Sequence, residues 1–306
     1  VTSSATTDSV VARVSSGESA TTASDSTMIS ADRMKSVRTA PRIFCFSSSC
    51  GVSPEAITFP SLIYSPSMSV RDQFLGAARY PDRLIPFGDL DPRWLGNKPT
   101  ADFRPLLGWF VDHGARGIGE ITANIPADDE RTINLFRQIG DMGLPVLIHN
   151  VGFGAGTYGL QDDPGMPRLE RLLQEAPETA IIGHGQGFWS EIAAGLTAEE
   201  KMGYPKGPVA AEGALPRLLR TYPNLYGDIS ANSGFNALNR SPELGIGLLE
   251  ELQDKMMFGT DHTFGRRDLK MPHLGWLKGL KAEGKLSAEA YEKIVGGNIL
   301  RVLGPK

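Results

Sequence analysis

Five residues able to bind metal or move protons close short apolar runs in this chain: Glu120, His149, His184, Asp228 and Asp261. Two imidazoles and a carboxylate form a facial ligand set for Zn²⁺, Mn²⁺ or Fe²⁺. His149, His184 and Asp261 are 35 and 77 residues apart, so only tertiary structure could gather them. Each also has a plainer reading. Asp261 after Thr260 suits a helix N-cap, and Asp228 suits a structural or substrate-orienting role. Glu120 could cap a loop, but a buried carboxylate after Gly117-Ile118-Gly119 is costly unless paired or metal-bound. His113 before Gly114 suits a helix C-terminus. His262 and His273 follow the last apolar run, where a solvated loop is the default and substrate contact the alternative.

The elements that must position these residues follow from apolar spacing. Continuous apolar runs predict strands buried on both faces of a parallel sheet at residues 84–88, 117–121, 145–149, 179–184, 224–229 and 255–261. Residues 56–64 and 42–46 add a seventh and an eighth. Between them, helical spacing places Leu106, Leu107, Phe110 and Val111 on one face, and Ile133, Phe136, Ile139 and Met142 on another. Two further faces are Leu169, Leu172, Leu173 and Ala176, and Leu215, Leu218, Leu219 and Tyr222. Helices are also predicted over 242–253 and 287–303. Eight βα units in ~250 residues predict an α/β chain folded as a (β/α)₈ TIM barrel. A doubly wound sheet is the runner-up, disfavoured because no Gly-rich dinucleotide fingerprint follows a strand.

Residues 1–53 hold 21 Ser or Thr and two aromatics, Phe44 and Phe46. The predicted division is a low-complexity segment over 1–41 and a single barrel domain over 42–306. The net charge of −4 argues against nucleic acid and anionic membranes as partners and leaves a small-molecule substrate. Homo-oligomerisation is left open. No apolar run is long enough for a membrane span, and no secretory leader is visible. Two cysteines, Cys45 and Cys50, make no disulfide framework and fit a reducing, cytoplasmic setting.

The strand ends Ile148-His149-Asn150, Ile182-Gly183-His184-Gly185 and Phe258-Gly259-Thr260-Asp261, with Gly297-Asn298-Ile299-Leu300-Arg301-Val302-Leu303 after them, resemble the amidohydrolase-related superfamily of metal-dependent barrels. The resemblance is closest to its amidohydrolase 2 branch of lactonases, other hydrolases and aromatic-acid decarboxylases. It implies that the histidines after the fifth and sixth strands and the Asp after the eighth bind metal or act in catalysis. Those positions are His149, His184 and Asp261, and a fourth-strand carboxylate adds Glu120. The family's first-strand His-x-His, or its Glu variant, has no counterpart, since no histidine precedes His113 and the first-strand candidate ends Cys45-Phe46-Ser47.

The resulting expectation is a divalent metal, Zn²⁺ with Mn²⁺ as the alternative, held by His149, His184, Asp261 and Glu120. Asp261 and His184 would serve the chemistry, which is hydrolysis of an ester, lactone or amide by activated water. The alternatives are non-oxidative decarboxylation of an aromatic or enoic acid and, in a different class, an inactive barrel lacking its first-strand ligands. Substrate contacts are expected from Tyr158 in the Gly-rich run after His149, from Trp189 beside Phe188, and from His262 and Arg266 after Asp261.

Overall fold

The computed structural model describes residues 70–154, 157–261 and 272–305. The predicted low-complexity segment and the strand candidates at 42–46 and 56–64 lie outside them, as do His262 and Arg266.

Six strands form an all-parallel sheet: β1 (Ile118–Ile121), β2 (Val146–Gly152), β3 (Leu160–Asp162), β4 (Ile181–His184), β5 (Leu225–Asp228) and β6 (Met256–Met257). The order is β1-β2-β4-β5-β6, with β3 paired to the far end of β2. Residues 84–88 run beside β1 but form only a bridge, Gly88 to Ile118. Pro86 explains this, because it has no N–H to give to a ladder. β2 outlasts its predicted end because Asn150, Val151 and Gly152 pair with β3, a strand that apolar spacing does not reveal.

Helices separate the strands, and alternation sorts the core. Val146, Ile148 and Ile181 face the helices, while Leu147, Ile182, Tyr226 and Met257 pack inward with Ile299 and Leu303 of the last helix. His149 and His184 share the inward parity of Leu147 and Ile182, so the same strands that fill the interior also deliver the imidazoles. Together these features are the wall of a (β/α)₈ barrel.

Several helical expectations need correction. Val111 and Met142 are exposed, because each lies at the last turn of its helix where the buried stripe has ended. The helix predicted over 287–303 is Ala288–Glu292, a π turn over Lys293–Gly297, and Asn298–Leu303. At the π turn the Ile294 carbonyl accepts from Phe258 N–H at 2.9 Å instead of serving the helix alone. His273 is buried at the start of the helix His273–Ala282, not solvated, and its Nε2 meets the Ala231 carbonyl at 2.8 Å.

A buried polar knot ties β3 to the segment after β4. Asp162 accepts from the N–H groups of Arg168 and Leu169 at 3.0 and 2.9 Å, capping the helix Pro167–Glu175 from outside. Lys201 is wholly buried and donates to Glu191 at 2.9 Å and to the Gly187 carbonyl at 3.0 Å. Burial pushes the Asp162 carboxyl up to about 6, against the pull of Lys201 and of the three N–H groups it accepts. A carboxyl whose folded pKa lies above its unfolded one contributes most below the unfolded value, and that contribution is lost as pH rises through about 6. Urea unfolding should therefore show a loss of about 3 kcal/mol from this group between about pH 4 and pH 7. In Asp162→Asn that part of the trend should flatten.

Candidate metal centre

The ends of β1, β2 and β4 supply the donors. His149 and His184 are register partners across the β2–β4 ladder, so their side chains leave the sheet side by side. Glu120 arrives differently. Ile118 pairs with Val146 and Ile121 with Ile148, which sets three steps of β1 against two of β2. This bulge turns Glu120 inward, the usual effect of one extra residue on a strand. Gly119 allows it, since its φ is +124° and a Cβ there would lie 2.4 Å from the Leu147 carbonyl oxygen.

Glu120, His149 and His184 are all buried, with one ligand atom from each lying within 4.8 Å of the others. Glu120 Oε1 is 2.9 Å from His149 Nδ1 and 3.7 Å from His184 Nε2. Ligand atoms around a tetrahedral zinc stand about 3.4 Å apart, given bonds near 2.0–2.1 Å. The two spacings bracket that value, so the donor set fits a divalent ion in both chemistry and distance.

A second ring of groups orients the first. Gln186 Oε1 is 3.1 Å from His149 Nε2, so an Nε2–H donated there leaves Nδ1 for the centre. Asp228 Oδ2 and Ser230 Oγ lie 3.1 Å from His184 Nδ1, which leaves Nε2 facing Glu120. Ser230 is itself fixed, its N–H donating to Asp228 Oδ1 at 3.0 Å and its hydroxyl to Oδ2 at 2.5 Å. Gly185, at φ +95°, keeps this space open: a Cβ there would stand 2.7 Å from His149 Nε2.

The field favours positive charge. Burial alone would depress the His184 imidazole, but the Asp228 hydrogen bond and the charges of Glu120, Asp228 and Asp261 outweigh it and raise its pKa to about 9. Burial acts to raise Glu120, yet the His149 hydrogen bond and both imidazoles hold it below its ordinary value. Asp261 is raised, first by burial and then by the nearby charges of Glu120 and Asp228, against the pull of His184.

Asp261 stands at the edge of the centre, its Oδ2 3.9 Å from His184 Nε2, and is the more exposed member of that pair. Tyr158 lies against His149, ring centroids 4.4 Å apart. Trp189 packs in the core with Phe188, and its indole N–H donates to the Asp228 carbonyl at 2.8 Å. His113 bonds the Trp109 carbonyl at its helix C-terminus. Gln186, Ser230 and the bulge are absent from the sequence reading. Of these, only Gln186 carried a signal, its place two residues after His184.

The amidohydrolase model among known families matches residues 69–304. The chain belongs to the amidohydrolase family. An uncharacterized TIM-barrel protein from Bordetella bronchiseptica is similar in fold, at 22% identity and a TM-score of 0.51 over 78% of this chain and 72% of that one. A 2,6-dihydroxybenzoate decarboxylase from Rhizobium is 17% identical, with a TM-score of 0.46 over 76% and 74%. A dihydroxybenzoic acid decarboxylase from Polaromonas, solved with manganese and 2-nitroresorcinol, is 17% identical at 0.44 over 75% and 72%. No curated protein matches the chain. Among the described residues of this amidohydrolase, no helix is long and apolar enough to cross a membrane.

Proposed function

We propose that this chain is a metal-dependent hydrolase of a small-molecule ester, lactone or amide. The observation that supports this best is the convergence of Glu120, His149 and His184 on one buried point with Asp261 beside them. Two histidines and a glutamate are the donor set of zinc hydrolases, which makes Zn²⁺ the first choice and Mn²⁺ the second. An ion held there supplies Lewis acidity toward a carbonyl and toward water.

The chain's own groups do the rest. Asp261 takes the proton from the attacking water, and its raised pKa suits a base that must hand that proton on to the leaving group. Gln186 and Asp228 keep the two imidazoles aimed inward. Tyr158 walls the substrate side of His149. The raised pKa of Asp261 also suits a second reading, decarboxylation, in which Asp261 delivers a proton to carbon.

One experiment separates the readings. The purified chain, loaded with Zn²⁺ or Mn²⁺, is offered lactones, esters and aromatic acids in ¹⁸O-water. Label in the product carboxylate is the expected result, and Asp261→Asn should retain the ion while losing turnover. Carbon dioxide without label would replace hydrolysis by decarboxylation. Failure to bind either ion would leave an inactive barrel.

A further inference from the structure

Beside the metal centre is a cleft with no role in the mechanism above, lined by Gln186, Trp189, Tyr204, Ser233, Asn236 and Arg240. Two of its polar groups lack partners. Ser233 Oγ is buried and bonded to nothing, and so are Nε and Nη2 of Arg240. Arg240 uses only Nη1, donating to the Pro205 carbonyl at 3.0 Å. Buried donors without acceptors are costly, and costlier when charged.

The pattern of vacant donors is specific. Nε–H and Nη2–H form one edge of the guanidinium, the edge that pairs with both oxygens of a carboxylate. Ser233 and Arg240 are seven positions apart on and just after the helix Ala231–Asn239, which puts them on one face. No acidic residue lines the cleft. Burial lowers the Arg240 pKa, with only Glu200 acting against it, so the guanidinium has no strong internal counterion.

The cleft also adjoins the chemistry. Gln186 lines it and reaches His149 Nε2 at 3.1 Å. Tyr204 lines it and senses the charge of Asp261, which with burial raises its phenol. A group held by Arg240 is thus one side chain from the metal centre.

We propose that Arg240 and Ser233 form a carboxylate-binding subsite, so that the substrate carries a carboxylate apart from the bond that is cleaved. Only the word substrate rests on the hydrolase reading; the binding itself needs no metal. The test is isothermal titration of the metal-free chain with benzoate and, as the neutral control, benzamide. Benzoate should bind and benzamide should not, and Arg240→Ala should weaken benzoate about tenfold to hundredfold, the worth of a charged hydrogen-bonded pair. Arg240→Lys, which keeps the charge and loses the fork, and Ser233→Ala should each weaken it as well, and they carry the test should Arg240→Ala not fold. Absence of benzoate binding would show that the cleft holds water only and overturn the proposal. So would binding that persists in these variants but is lost in His149→Ala. Neither result would touch metal loading, which is measured separately.

Discussion

His184→Ala should lower affinity for Zn²⁺ or Mn²⁺ by at least about 100-fold, more than the loss of an outer-shell partner costs, and kcat/KM by about 10³. His184 places Nε2 at the centre while its other nitrogen is held by Asp228 and Ser230, so alanine removes a ligand and leaves two oxygens without their partner. The same residue sets a pH dependence. Its pKa of about 9 means that the metal-free site holds a proton at neutrality, and an ion must displace it. Measured affinity should therefore rise about tenfold per pH unit from about pH 6 to pH 8, as one-proton linkage requires. Titration with a competing chelator across that range checks both statements. A flat profile would mean that no proton is held at His184, and unchanged affinity in His184→Ala would remove it from the ligand set.

Lys201→Met should destabilise the fold by about 3–5 kcal/mol, the range found when one partner of a buried ion pair is deleted. The ammonium is fully buried, and its loss leaves the buried carboxylate of Glu191 with only the Gly165 N–H. It also removes the charge that restrains Asp162, so the cost should grow toward neutral pH. Equilibrium urea unfolding at about pH 7 measures it. The double variant Lys201→Met with Glu191→Leu should recover most of the loss, because replacing both charges by apolar groups removes the stranded carboxylate.

What the sequence revealed and what it concealed divide along physical lines. His149 and His184 were legible because a polar residue ending a continuous apolar run has few structural uses, and two such residues imply a shared face. The orientation of Glu120 was not, because it depends on a register shift between β1 and β2, a relation between two strands that neither run contains. Gln186 and Ser230 act across neighbouring strands and look like loop residues when read along the chain. Lys201 lies in a short run of Glu and Lys that reads as a solvated face, and only the packing of β3 against the segment after β4 makes it a buried charge. The strand at 84–88 was placed correctly beside β1, but its ladder was overestimated because Pro86 was not counted as a missing donor.

All three donors come from β1, β2 and β4, which are adjacent in the sheet and span residues 118–184. The proton-handling and aiming groups, Asp228, Ser230 and Asp261, come from β5 and the chain around β6. The wall therefore divides its labour: one arc captures the ion and the next decides what is done with it. Diversification can proceed on the second arc while the first stays fixed, so one ion-holding frame can be inherited by enzymes that differ in reaction.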